Sequence, residues 1–142
     1  MSSNQMTAER DPAMKLAIST AADAEYVDGR REFFKYRDLG VTAATGGRMR
    51  AQVTSADAGM SEPTGWHYHI CEMQFVYMLE GWLELEFEDG TIKKFEAGDT
   101  VMIPGGERHQ ETRTSDSMRL LEVSLPAEMG TVPCDPPEGA KN

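Results

Sequence analysis

Two cysteines, three histidines and a shortage of basic side chains set the first limits on this 142-residue chain. Cys71 and Cys134 are too few and too unpatterned to form a disulfide framework, so a reducing, cytoplasmic setting is expected. No apolar run approaches the ~20 residues of a membrane-spanning helix. Met14 to Ala24 has some apolar character, but Ser19 and Thr20 break it before it could serve as the core of a signal sequence. Lys and Arg number 14 against 24 Asp and Glu, a formal charge of −10. That balance leaves no clustered basic face for phosphates and argues against a nucleic-acid partner. Also missing are a phosphate-cradling Gly-rich loop, a Gly-x-Ser-x-Gly elbow and a Cys-x-x-Cys pair. Helical periodicity is scarce, and no internal repeat points to a solenoid or propeller.

What is present is a series of short strands. Trp82 to Glu88 alternates Leu83, Leu85 and Phe87 with Glu84, Glu86 and Glu88, which predicts one apolar face and one solvated face of carboxylates. Asp89-Gly90 is a hairpin signal, and Thr91 to Phe95 returns as the partner strand. Further strands are expected over Arg30–Tyr36, Val41–Thr45, Arg48–Val53, Thr100–Ile103, His109–Arg113 and Met118–Leu125, separated by Gly, Pro, Asp and Ser turns. The chain is long enough for one domain with its own core. Residues 1–29 read as a flexible or weakly structured arm, 30–128 as an all-β sandwich or barrel, and 129–142, rich in proline, as an irregular tail.

The histidines are not scattered. His67 and His69 lie in Gly65 to Gly81, and His109 ends the run from Gly98. Two residues apart on a strand, His67 and His69 share a face, a ready two-point grip for a metal. Ile70 to Met73 can turn the chain so that Gln74 faces the same interior, and Pro104-Gly105-Gly106 is a tight turn that brings His109 in on a different strand. Convergence on one ion is the chemistry this pattern favours over three unrelated imidazoles.

The two segments resemble the paired motifs of the cupin superfamily. The first motif is matched by His67, His69, Gln74 and Gly81, the second by Gly98, Pro104, Gly106 and His109, and the resemblance covers about Arg48 to Pro126. Gln74 stands where most members have a metal-binding Glu, and Arg113 where the second motif often ends in Asn. The resemblance implies a double-sheet jelly-roll (double-stranded β-helix) barrel, commonly a homodimer, with one divalent metal inside. It spans dioxygenases, isomerases, decarboxylases, lyases and non-catalytic sugar-binding modules, so the fold does not select the reaction.

Three neutral imidazoles and a neutral amide would leave the 2+ charge of an ion uncompensated, so an anionic small-molecule substrate is expected, with Gln74 either ligating the metal or hydrogen-bonding its water. His109, Glu111 and Arg113 share a face on an ideal strand, which makes Glu111 a candidate acid or base and Arg113 a candidate anion anchor. Arg48, Arg50 and Glu122 are further candidates for the interior. Cys71 is read as a packed thiol with a thiolate ligand as the alternative, and Trp66 and Tyr68 as packing groups. The expected function is an Fe(II)-type oxygenase reaction. Zn, Mn or Ni with isomerase or lyase chemistry is the competing reading, and a non-catalytic ligand-binding or sensing protein the third.

Overall fold

The computed structural model describes residues 9–29 and 33–138. Arg30 to Glu32, the first part of one expected strand, lies outside them. Eleven strands occur among the described residues: β1 (Val27–Asp28), β2 (Phe34–Asp38), β3 (Arg50–Ala56), β4 (His67–Ile70), β5 (Met73–Glu80), β6 (Trp82–Phe87), β7 (Ile92–Glu96), β8 (Thr100–Pro104), β9 (His109–Thr114), β10 (Met118–Leu125) and β11 (Gly130–Pro133). They form two antiparallel sheets, β1-β2-β3-β10-β5-β8 and β11-β4-β9-β6-β7, the two walls of a jelly roll. Consecutive strands often lie in different sheets, so the short loops carry the chain back and forth between the walls.

Alternation explains most of the packing. Leu83 and Leu85 on one wall meet Val76, Met78, Met118 and Leu120 from the other, all buried. Met78 and Met118 are 0% and 1% exposed, and burying each side chain contributes roughly 1.5–3 kcal/mol. The β6–β7 hairpin closes as its Asp-Gly signal requires: Gly90 has φ 91°, and Asp89 Oδ1 accepts the Thr91 amide at 2.9 Å.

Three expectations are corrected. Val41–Ala44 is not a strand but one helical turn, α1. Asp38 caps the Gly40 amide ahead of it, two alanines favour helix within it, and Gly46 and Gly47 at positive φ end it. Glu86 is not part of a solvated carboxylate face but is 1% exposed and accepts a hydrogen bond from Gln110 Nε2 at 3.0 Å. Gly130–Pro133, expected to be irregular, is strand β11 and pairs with β4 across the range Ile70 to His67. A free edge beside β4 exposes backbone donors and acceptors, and the returning tail satisfies them.

Candidate metal centre

The first motif places His67 and His69 on β4 with their side chains inward, 5% and 6% exposed, while Tyr68 and Ile70 face out. β4 pairs with β9 at one position, His67 opposite His109. The three ring systems therefore meet within one sheet, with ring centres 4.6 to 5.2 Å apart. One donor nitrogen from each lies within 4.8 Å of the others.

The outer nitrogens are already committed. His67 Nδ1 faces the Gly65 carbonyl at 2.7 Å and His109 Nδ1 the Glu107 carbonyl at 2.9 Å. A carbonyl only accepts, so each of these rings carries a proton on Nδ1 and turns Nε2 towards the cluster. His69 Nδ1 meets the Thr131 hydroxyl at 3.1 Å. Burial first, then the neighbouring His109 and His67 rings, pushes His69 down to about 4. Burial also lowers His109, against the pull of the Glu107 carbonyl. Neutral imidazoles at physiological pH are the state that metal ligation requires.

The turn ahead of His109 is built to hold this arrangement. Gly105 and Gly106 amides donate to the Glu72 and His69 carbonyls at 3.1 and 3.0 Å, so the second motif is pinned directly onto the first. Gly81, which closes the first motif, has φ 70°, and a β-carbon there would lie 2.2 Å from the Ser117 carbonyl oxygen.

A cavity of about 150 Å³ lies between the sheets, bordered by His69 and His109 on one side and by Gln74, Arg50 and Glu122 on the other. That is small beside sites for drug-sized ligands, and suits a compact organic molecule next to an ion. Gln74 arrives from β5 in the opposite sheet, its Oε1 buried and without a hydrogen-bond partner. The orphaned Gln74 oxygen shares this cavity with His69 and His109, and together with His67 beside them they form a donor set suited to a divalent cation such as Fe, Zn, Mn or Ni.

Glu111, on β9, borders the cavity with its Oε2 3.4 Å from His67 Nε2 and 3.0 Å from the Thr64 hydroxyl. Burial pushes its carboxyl up, but the His67 and His109 rings and the Thr64 hydroxyl outweigh that and hold it below the ordinary range. Arg113 does not share this face. The β6–β9 register runs Glu84 with Arg113 and then Leu85 with Glu111, so Thr112 is bulged out and the alternation shifts. Arg113 consequently projects outward, 63% exposed, bound to Glu84 at 2.9 Å and above the Trp82 ring. Arg48 is also outside, paired with Asp11 at 2.8 Å. Arg50 and Glu122 are the charged pair that the fold turns inward.

Cys71 sits in the β4–β5 turn away from the cavity lining, and burial raises its thiol, which disfavours a thiolate. Trp66 is buried. Sequence reasoning passed over Gln52, Thr64 and Thr131. The alternation Arg50, Gln52, Thr54 along β3 was the available signal for the first; the other two act from a loop and from the tail, where no periodicity marks them.

Two walls of antiparallel strands around a buried three-histidine cluster are those of a cupin-type fold, and the sequence profile of the Cupin domain matches residues 55–124. The chain belongs to the cupin superfamily. Among similar solved structures, the polyketide cyclase RemF from Streptomyces resistomycificus superposes with TM-score 0.68 and 22% identity, over 84% of this chain and 85% of that one. HppE in its Fe(II) form gives TM-score 0.60 and 14% identity, over 81% of this chain and 66% of its own. A salicylate 1,2-dioxygenase variant from Pseudoaminobacter salicylatoxidans, in complex with gentisate, gives 0.59 and 15%, over 74% of this chain and 30% of that one. At these identities the likeness is one of fold. No curated protein matches the chain in sequence. Among the described residues, no helix is long and apolar enough to cross a membrane.

Proposed function

We propose that this cupin is a metal-dependent enzyme acting on a small anionic organic molecule, with an oxygen-using reaction at an Fe(II)-type centre as the leading class. The observation that carries the reading is the cluster itself: three buried imidazoles with donor nitrogens within 4.8 Å, and outer nitrogens already bonded at Gly65, Thr131 and Glu107. His67, His69 and His109 would hold the ion, with Gln74 Oε1 as a further oxygen donor. When bound, a divalent ion supplies Lewis acidity, and iron adds one-electron redox chemistry. Glu111, with Oε2 beside His67 and steadied by Thr64, is placed to take or return a proton at the edge of the cavity. Arg50 has a buried Nε without a partner and a long 3.4 Å contact to Glu122, so its guanidinium retains capacity to bind a substrate carboxylate. Arg113 is better placed to brace β6 and β9 than to touch substrate.

A non-redox cyclisation, isomerisation or lyase reaction is the second reading, supported by the fold likeness to a polyketide cyclase and by a proton-transfer group that needs no oxidant. A cytoplasmic homodimer belongs to the same proposal: exposed Tyr77, Leu79 and Met102 on β5 and β8 offer apolar surface for a second copy, which light scattering in solution tests.

Elemental analysis of untagged protein, followed by anaerobic Fe(II) loading and oxygen-uptake screening with diketones, thiols, phenols and hydroxy acids, tests the function. Stoichiometric metal and substrate-dependent uptake are expected. Turnover without oxygen would favour the second reading, and protein that retains no metal when Fe, Mn, Zn and Ni are all supplied would sink both.

A further inference from the structure

The missing carboxylate at position 74 has a counterpart. Glu122, on β10, is held among three donors: Gln52 Nε2 at 2.8 Å, Arg50 Nη2 at 3.4 Å and Gln74 Nε2. β10 runs between β3 and β5, with Glu122 opposite Gln52 on one side and Ser124 opposite Gln74 on the other. The three side chains thus converge from neighbouring strands on the cavity side of the six-stranded sheet.

This arrangement decides which end of the Gln74 amide faces which way. An ionised carboxylate only accepts hydrogen bonds, so the amide end beside Glu122 must be the NH2 group. The carbonyl end is then turned away from Glu122, and it is this Oε1 that lies buried without a partner. Glutamate at 74 could not make the same contact, because two carboxylates would face each other at hydrogen-bond range. An amide can do both tasks at once, donating to Glu122 through Nε2 and offering an oxygen lone pair through Oε1.

We propose that Glu122 is a positioning residue for the metal centre: by accepting a hydrogen bond from Gln74 Nε2, it orients the amide so that Oε1 faces the ion. Gln74 provides the oxygen and Glu122 fixes its direction, with Gln52 and Arg50 keeping the Glu122 carboxylate in place. This rests on the reading that the three histidines hold a divalent metal.

The test uses the full chain, freed of metal and titrated with Co(II) and Zn(II) against a competing chelator, with the visible bands of Co(II) reporting its ligands. Glu122→Gln should weaken binding about ten- to a hundredfold and shift the Co(II) bands, because either amide end can then face position 122. Gln74→Glu combined with Glu122→Gln returns the carboxylate to the ion and the amide to the rear, and should restore affinity to the wild-type level or above. Wild-type affinity and unshifted bands in Glu122→Gln, or a double variant that binds no tighter than Glu122→Gln, would overturn the proposal. If Glu122→Gln does not fold, judged by circular dichroism of the metal-free protein, Gln74→Leu decides: weaker binding with shifted bands supports the oxygen contact, and unchanged bands overturn it. Wild-type protein that binds neither metal would defeat the metal reading itself, whereas wild-type binding with indistinguishable variants defeats only the role of Glu122.

Discussion

Gly105 lies so close to Cys71 that a β-carbon at position 105 would sit 1.7 Å from the Cys71 carbonyl oxygen. The contact locks the turn after β8 onto the turn between β4 and β5, and so sets where His109 enters beside His67. Gly105→Ala should force the two turns apart and cost about 3 kcal/mol, with a matching fall in metal affinity. Urea unfolding and a metal titration check both effects. Unchanged values would mean that this turn does not set the geometry of the cluster.

Thr131 reaches His69 from the strand formed by the tail. Thr131→Val keeps the shape and removes the hydroxyl, so metal affinity should fall about tenfold while the fold remains. Competition with a chelator measures the first, and a thermal melt of the metal-free protein the second.

The buried imidazoles make the metal-free protein sensitive to acid. His69 titrates at about 4 in the folded state against 6.5 ordinarily. Above pH 6.5 neither state carries the proton, and the group adds nothing to the pH dependence. As pH falls from 6.5 towards about 4, the unfolded chain takes up a proton that the folded chain refuses, so stability declines. The slope from this one residue is at most about 1.4 kcal/mol per pH unit, and His109, lowered in the same direction, adds to it. Denaturant midpoints from pH 8 to pH 4 should follow that curve in wild type and become flatter in His69→Gln.

The two inward-outward arginine assignments separate cleanly. Arg50→Gln should raise KM for an anionic substrate about tenfold or more, as loss of a charged hydrogen bond does. Arg113→Gln breaks an exposed pair with Glu84 and should leave both KM and kcat where they were. Steady-state kinetics of the pair decide it, and the opposite pattern would return Arg113 to the substrate site.

Much of the site was legible because its information is local. His67 and His69 share a face through strand alternation alone, and the Pro104 to Gly106 turn announces a change of direction before His109. Arg113 was misplaced by the same rule, since alternation fails at one bulged residue, Thr112, and the bulge arises from pairing with β6. Glu86 reads as solvated by its alternation and is instead buried beside Gln110 from β9. Val41 to Thr45 has the β-branched ends of a strand but finds no partner strand among the described residues, so local capping and helix propensity prevail.

The sequence by itself determined the all-β class, the two histidine motifs and Gln74 as the unusual member of the set. These depend on residue type and on spacings of two or a few positions, which the backbone of any strand or turn enforces. Only the tertiary structure decided that Thr131 backs His69, that Arg50 rather than Arg113 enters the cavity, and that Glu122 holds the Gln74 amide. Each of those contacts joins segments brought together by sheet pairing, and pairing depends on the register of strands 48 or more residues apart in the cases of Glu122 with Gln74 and Thr131 with His69.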